Sequence, residues 1–206
     1  FTKIAYKTLQ QGKSLAGLAH KEISARIMNF IVNEKEISTF NLDKSLLIKI
    51  QNSMDLLREE DWNDAEKNIY PLKLLFDEPW LRYLTQYPKI WLDMPNIWNR
   101  RRKEKFVDLP KSVDTDNYPK YYLRNFHHQT DGYLSDFSAS IYDLQVEILF
   151  NGSADAMRRR IIKPLKEGLM NFRDRKKSSI KIIDVATGSG RTLKQLRVAF
   201  PKEKIK

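Results

Sequence analysis

The stretch Ile182–Leu196, IIDVATGSGRTLKQL, decides how the second half of this chain is read. Its apolar, β-branched start, extended upstream to IKIIDVA, has the composition of a short buried parallel strand. The run breaks at Gly188 and Gly190. Apolar residues then return at Leu193, Leu196, Val198 and Phe200, the spacing of a helix. Strand, glycine turn and helix in that order form the first unit of many nucleotide-binding α/β folds. Glycine removes the Cβ, so the chain can turn sharply and a ligand can approach the amides at the helix start.

Three ligand classes compete for such a turn. A phosphate loop needs G-x-x-x-x-G-K-[ST], which the stretch does not supply. A dinucleotide turn needs G-x-G-x-x-G, and Leu193 stands where its third glycine belongs. The remaining pattern, D-x-[GA]-x-G-x-G, is met by Asp184, Ala186, Gly188 and Gly190. It resembles motif I of the class I S-adenosylmethionine-dependent methyltransferases, whose ligand carries no pyrophosphate. Upstream, YDLQVEILFNGSADAMRRRIIKPL (Tyr142–Leu165) is similar to the segment before motif I in the quinone-type enzymes. The longer string from Asn125 to Arg160 resembles a methyltransferase group of cyanobacteria and plastids, related to the ubiquinone and menaquinone methyltransferases. The likeness covers about the second half of the chain.

The resemblance implies S-adenosyl-L-methionine as cofactor. The backbone around Ala186, Thr187, Gly188 and Gly190 would lie against its methionine and ribose, and Asp184 would orient its amino group, directly or through water. Tyr142 and Arg158 would flank it, Arg158 near the carboxylate. Ala186 departs from the commoner glycine. An acid after a second strand should hold the ribose hydroxyls within a few residues of Lys206, and the chain therefore reads as the first part of a longer enzyme.

Composition sets the outer bounds. At 206 residues with 41% hydrophobic side chains, the chain can bury a core as one large domain or two small ones. It contains no cysteine, which excludes disulfides and thiolate metal sites. No apolar run approaches a membrane span and no signal-peptide pattern opens the chain, so a cytoplasmic or plastid-stromal location is expected. The net charge of +11 is lopsided: residues 1–99 carry 13 Lys/Arg and 13 Asp/Glu, residues 100–206 carry 24 and 13. That excess suits either an anionic partner or a chain whose acidic complement lies elsewhere.

Helical spacing predicts one or two helices over 1–33, another over 43–59, and short helical pieces over 59–106 punctuated by Pro71, Pro79, Pro88 and Pro95. The four tryptophans of that region read as core more readily than as a stacking surface. Residues 107–120, poor in apolar side chains, read as a linker between a helical domain at 1–106 and the start of a methyltransferase domain at 121–206. There a helix around Ile141–Leu149 should stop at Asn151-Gly152, and Ser153 or Asp155 should cap the next, with its apolar side running Met157 to Met170. His127 and His128 are candidate bases, and Asp131 with them a candidate metal cluster, but paired histidines in an aromatic segment are more often structural. No catalytic residue and no metal site are assigned.

The expected fold is thus a helical N-terminal domain followed by the first β-α unit of a Rossmann-like class I methyltransferase. The expected partner is a small methyl acceptor, such as a quinone or prenyl lipid. Two rivals stand beside it. One is a nucleic-acid binder or RNA methyltransferase using the basic runs NRRRKEK, MRRR and RDRKK. The other is a non-catalytic helical module in which Gly188 and Gly190 merely pack against neighbouring backbone.

Overall fold

The computed structural model describes residues 1–32, 43–111, 114–126, 129–130, 132 and 134–205. Contacts divide the chain into two units. One comprises Phe1–Gly17, Phe40–Glu78 and Leu149–Lys206; the other comprises Leu18–Thr39 and Pro79–Ile148. The first unit therefore gathers the start, middle and end of the chain, and residues 107–120 fall inside the second.

Helix α1 (Thr2–Val32) runs unbroken through Gly12 and Gly17. The stripe it buries holds Tyr6, Gln10, Gly17, His20 and Met28, at steps of four, seven, three and eight residues. Ile4, Leu15 and Leu18 lie on another face and are exposed. Helix α2 (Lys44–Glu66) buries only its C-terminal part, Arg58, Asp61, Trp62, Asp64 and Ala65. Its chain reverses at Asn68, which takes a left-handed φ of 56°, and Pro71 starts a 3-10 turn, Leu72–Phe76.

The rest of the first unit follows helix α4 (Asp136–Leu149). Asn151 and Gly152 stop that helix with φ of 49° and 79°. Gly152 sits hard against α1: a Cβ there would lie 2.3 Å from Cβ of Lys13 and 3.0 Å from its carbonyl carbon. Ser14 Oγ closes the junction by donating to Asn151 O at 2.8 Å. The single helix expected beyond Ser153 is divided in two, α5 (Ala154–Arg159) and α6 (Ile162–Leu169). Pro164 explains the restart, because it stands in the first turn of α6, where an amide would have no helical partner.

Strand β1 (Lys181–Ile182), the turn, helix α7 (Arg191–Ala199) and β2 (Lys204–Ile205) complete the unit. The two strands pair in parallel, Lys181 with Lys204 and Ile182 with Ile205. Tyr6, Trp62, Tyr70, Leu74, Leu75 and Ile162 form a core with Leu196, Phe200 and Ile205, and Ile182 packs on it. The expected buried strand needs correction: Ile183 and Val185 are 70% and 82% exposed. With β2 its only partner among the described residues, β1 has little sheet to be buried in.

In the second unit α3 (Trp80–Arg102) and α4 (Asp136–Leu149) pack through Tyr83, Ile90, Ile141 and Leu144. Pro88 and Pro95 lie inside α3 and do not end it, contrary to the expectation of short pieces. Spaced seven residues apart, they share one exposed face, where water can satisfy the freed carbonyls, while the opposite stripe of Tyr83, Gln86, Ile90 and Trp98 is buried. Asn125 ties down the segment before α4: its Oδ1 accepts from Asp108 N at 2.7 Å and its Nδ2 donates to Asp108 O at 3.1 Å and Gln129 O at 3.1 Å. Among the described residues no helix is long and apolar enough to cross a membrane.

Candidate functional site

The turn between β1 and α7 takes left-handed φ at alternate residues, Ala186 at 61°, Gly188 at 58° and Gly190 at 76°. Those are the three positions where the sequence pattern calls for small side chains. Glycine accepts this conformation freely, whereas alanine bears roughly 1–2 kcal/mol of strain in it. A Cβ built on Gly188 or Gly190 meets no atom within 4 Å. Close packing against neighbouring backbone is therefore not the reason these positions are glycine. Thr187 Oγ1 donates to Asp184 Oδ2 at 3.0 Å, and the Gly190 amide donates to Thr187 O at 3.0 Å. Asp184 is half-buried at the rim of this open turn, beside the exposed Thr187 and Gly188.

The helix that the turn starts is fastened by its first residue. Arg191 Nε lies 3.1 and 3.0 Å from the two carboxylate oxygens of Asp155 in α5, and its Nη2 bonds the second of them. Arg158 Nη1 donates to Asp155 Oδ1 at 2.8 Å. Arg158, selected by resemblance, is thus brought beside the turn's helix through a shared, fully buried carboxylate. Burial alone would raise the Asp155 pKa, but the hydrogen bonds and charge of Arg191, with Arg159 and Arg158, hold it below the usual carboxylate value. Arg191 Nη2 also bonds Asp77 O, and Lys194 Nζ lies 3.2 Å from Asp77 Oδ2.

A second buried charge sits behind the first. Asp61 accepts from Tyr6 Oη at 2.6 Å, Tyr70 Oη at 2.6 Å, and Arg159 through Nε at 2.8 Å and Nη2 at 2.6 Å. Arg159 Nη1 donates to Leu74 O at 2.9 Å. The pair is fully buried. Both tyrosine hydroxyls are pushed well up, first by burial and then by the Asp61 charge. Arg160 completes the run, bonding Asp64 at 2.6 Å and Glu60 at 3.0 Å. The sequence offers MRRR as a basic surface; the structure spends all three arginines on internal acids.

The other predicted groups are scattered. Tyr142 lies on α4 in the second unit and is part exposed. His127, His128 and Asp131 lie outside the described residues. Among the described residues no group of three or more His, Asp or Glu is placed to hold a metal ion. Of the four tryptophans expected in the core, Trp62 and Trp98 are buried, with Tyr70 and Tyr83, whereas Trp80 is 42% exposed and Trp91 is half-buried. Sequence reasoning missed Asp61, Asp155, Arg159 and Arg191. Only Asp61 left a local signal: with Asp64 it shares the helix face that holds Trp62 and Ala65.

Comparison with family models, with curated proteins and with solved structures found no match to this chain.

Proposed function

We propose that the turn at Asp184–Gly190 binds S-adenosyl-L-methionine and that the chain carries the entry to the cofactor site of a class I methyltransferase. One observation carries the reading: three left-handed residues, 186, 188 and 190, follow a parallel strand and open onto free space at both glycines. The parallel β1-α7-β2 arrangement supports it, since a ligand in such folds binds beyond the carboxyl end of the strand. The rival reading as a plain connection calls for glycines packed against backbone, and the space above Gly188 and Gly190 speaks against it.

The residues present suit the group. With no Cβ at 188 and 190, a ligand can approach the backbone closely, and Asp184 offers a carboxylate to an ammonium group. Arg158, joined to the turn's helix through Asp155, is the cation proposed for a carboxylate. The cofactor supplies a methyl group on a sulfonium, so the chain's own task is to align an acceptor and keep water out. The acceptor proposed is a small molecule, such as a quinone or prenyl lipid.

Equilibrium dialysis of the chain against labelled S-adenosyl-L-methionine, with NAD and ATP as competitors, tests the reading. Retention of label that neither competitor displaces supports it. Displacement by NAD would return the turn to the dinucleotide class, and no retention would leave a structural connection.

A further inference from the structure

We infer that the first unit holds a second site, for an amphiphilic anion with an apolar body and a phosphate or carboxylate head. A cavity of about 420 Å³ lies among the end of α6, the segment leading into β1 and the residues that follow α7. Its volume falls within the roughly 300–1,000 Å³ range of small-molecule sites. Ile180 precedes β1 and Phe200 follows α7, so the cavity and the glycine turn occupy opposite ends of both elements. The inference therefore stands apart from the cofactor reading.

The walls divide by chemistry. Leu169, Phe172, Ile180 and Phe200 supply apolar surface, and Phe200 roots it in the core. Arg173, Lys177 and Lys202 line the same cavity and are exposed. Among the described residues none of these three is held by a carboxylate. The neighbouring cations are already engaged: Lys166 Nζ donates to Asn68 O at 2.7 Å, and the Arg175 guanidinium lies 5.9 Å from the centre of the Phe172 ring. The lining contains one acid, Glu203.

Three cations that no carboxylate holds among the described residues, set beside an apolar wall, attract an anion whose remainder prefers to leave water. A nucleobase would need groups that read its polar edge, and the aliphatic wall of Leu169 and Ile180 gives none. The run RDRKK, which supplies Arg173 and Lys177, is in this respect unlike MRRR, whose charges are consumed inside the unit.

Isothermal titration of the whole chain with dodecyl phosphate, below its micelle threshold, tests the site. Saturable binding is expected, with dodecyltrimethylammonium silent and inorganic phosphate weaker by about tenfold or more, since it lacks the apolar body. Arg173→Glu with Lys177→Glu, at exposed positions that leave the core untouched, should weaken dodecyl phosphate by about tenfold or more. Ile180→Trp, which fills the cavity but keeps its cations, should weaken it comparably. Equal binding of the cationic and anionic detergents, or an unchanged affinity in both variants, would overturn the inference. So would pelleting with phosphatidylglycerol vesicles, or capture of a thymidine oligonucleotide, by a protein that ignores monomeric dodecyl phosphate.

Discussion

Arg191, the first residue of α7, holds the buried carboxylate of Asp155 in α5, with Nε 3.1 and 3.0 Å from its two oxygens. Because Gly190 immediately precedes it, this contact fixes where the glycine turn ends. Removing one partner of a buried pair strands the other charge, which costs about 3–5 kcal/mol. Asp155→Ala should lose that much stability in urea unfolding, since it takes a buried carboxylate from Arg158 and Arg191 together. Arg191→Lys keeps the charge but not the planar fork, and should lose about 1–3 kcal/mol. A loss under about 1 kcal/mol for Asp155→Ala would show that the contact does not hold the unit together.

The Asp61 and Arg159 pair should behave as one object. Asp61→Ala and Arg159→Ala are each expected to cost about 3–5 kcal/mol, and the double variant much less than their sum. Tyr6→Phe and Tyr70→Phe remove single hydrogen bonds to the charged group and should each cost about 1.5–3 kcal/mol. Additive losses in the double-mutant cycle would contradict a coupled site.

The glycines separate by what surrounds them. Gly152→Ala drives a Cβ into Lys13 and should cost about 3 kcal/mol or more, as severe overpacking with backbone strain does. Gly188→Ala meets open space and should cost only the left-handed penalty, about 1–2 kcal/mol. Ala186→Gly relieves that penalty but frees the unfolded chain, so its stability should match or exceed the parent by up to about 1 kcal/mol. Thermal melts of the three variants give the order directly.

Stability should fall in two stages as pH drops. His20 bonds Tyr87 Oη through Nδ1 at 3.1 Å, and burial first, with Lys21 beside it, lowers its pKa. The unfolded chain takes that proton more readily, so the stability contribution is full above the ordinary value of 6.5 and is lost as pH falls below it. Asp155 also has a lowered pKa, so its contribution is full above the ordinary 3.8 and is lost at more acid pH. His20→Gln should remove the upper stage and leave the lower; melts from pH 8 to pH 3 would test this.

Much of this architecture was legible in local sequence. Helical spacing predicted α2 and α4, Asn151-Gly152 marked the stop before α5, and Gly188 and Gly190 marked the sharp turn before α7. What stayed hidden was long-range. Arg159 reaches Asp61 across 98 positions, and no local pattern tells a buried arginine from a surface one. The same limit misjudged the prolines of α3, because their tolerance depends on which face of the helix meets water. It also misjudged IIDV, whose apolar character predicts a buried strand but whose burial depends on how many strands stand beside it.

Calorimetric titration of S-adenosyl-L-methionine into the chain and its Gly188→Asp variant decides whether the turn at 184–190 is a cofactor cradle. Saturable binding below about 1 mM is expected for the parent, a range usual for enzyme ligands. The variant, with an anionic side chain placed in the open space, should lose binding yet melt within a few degrees of the parent, as a loss of about 1–2 kcal/mol implies. No heat of binding at millimolar cofactor, or equal affinity in parent and variant, would contradict it.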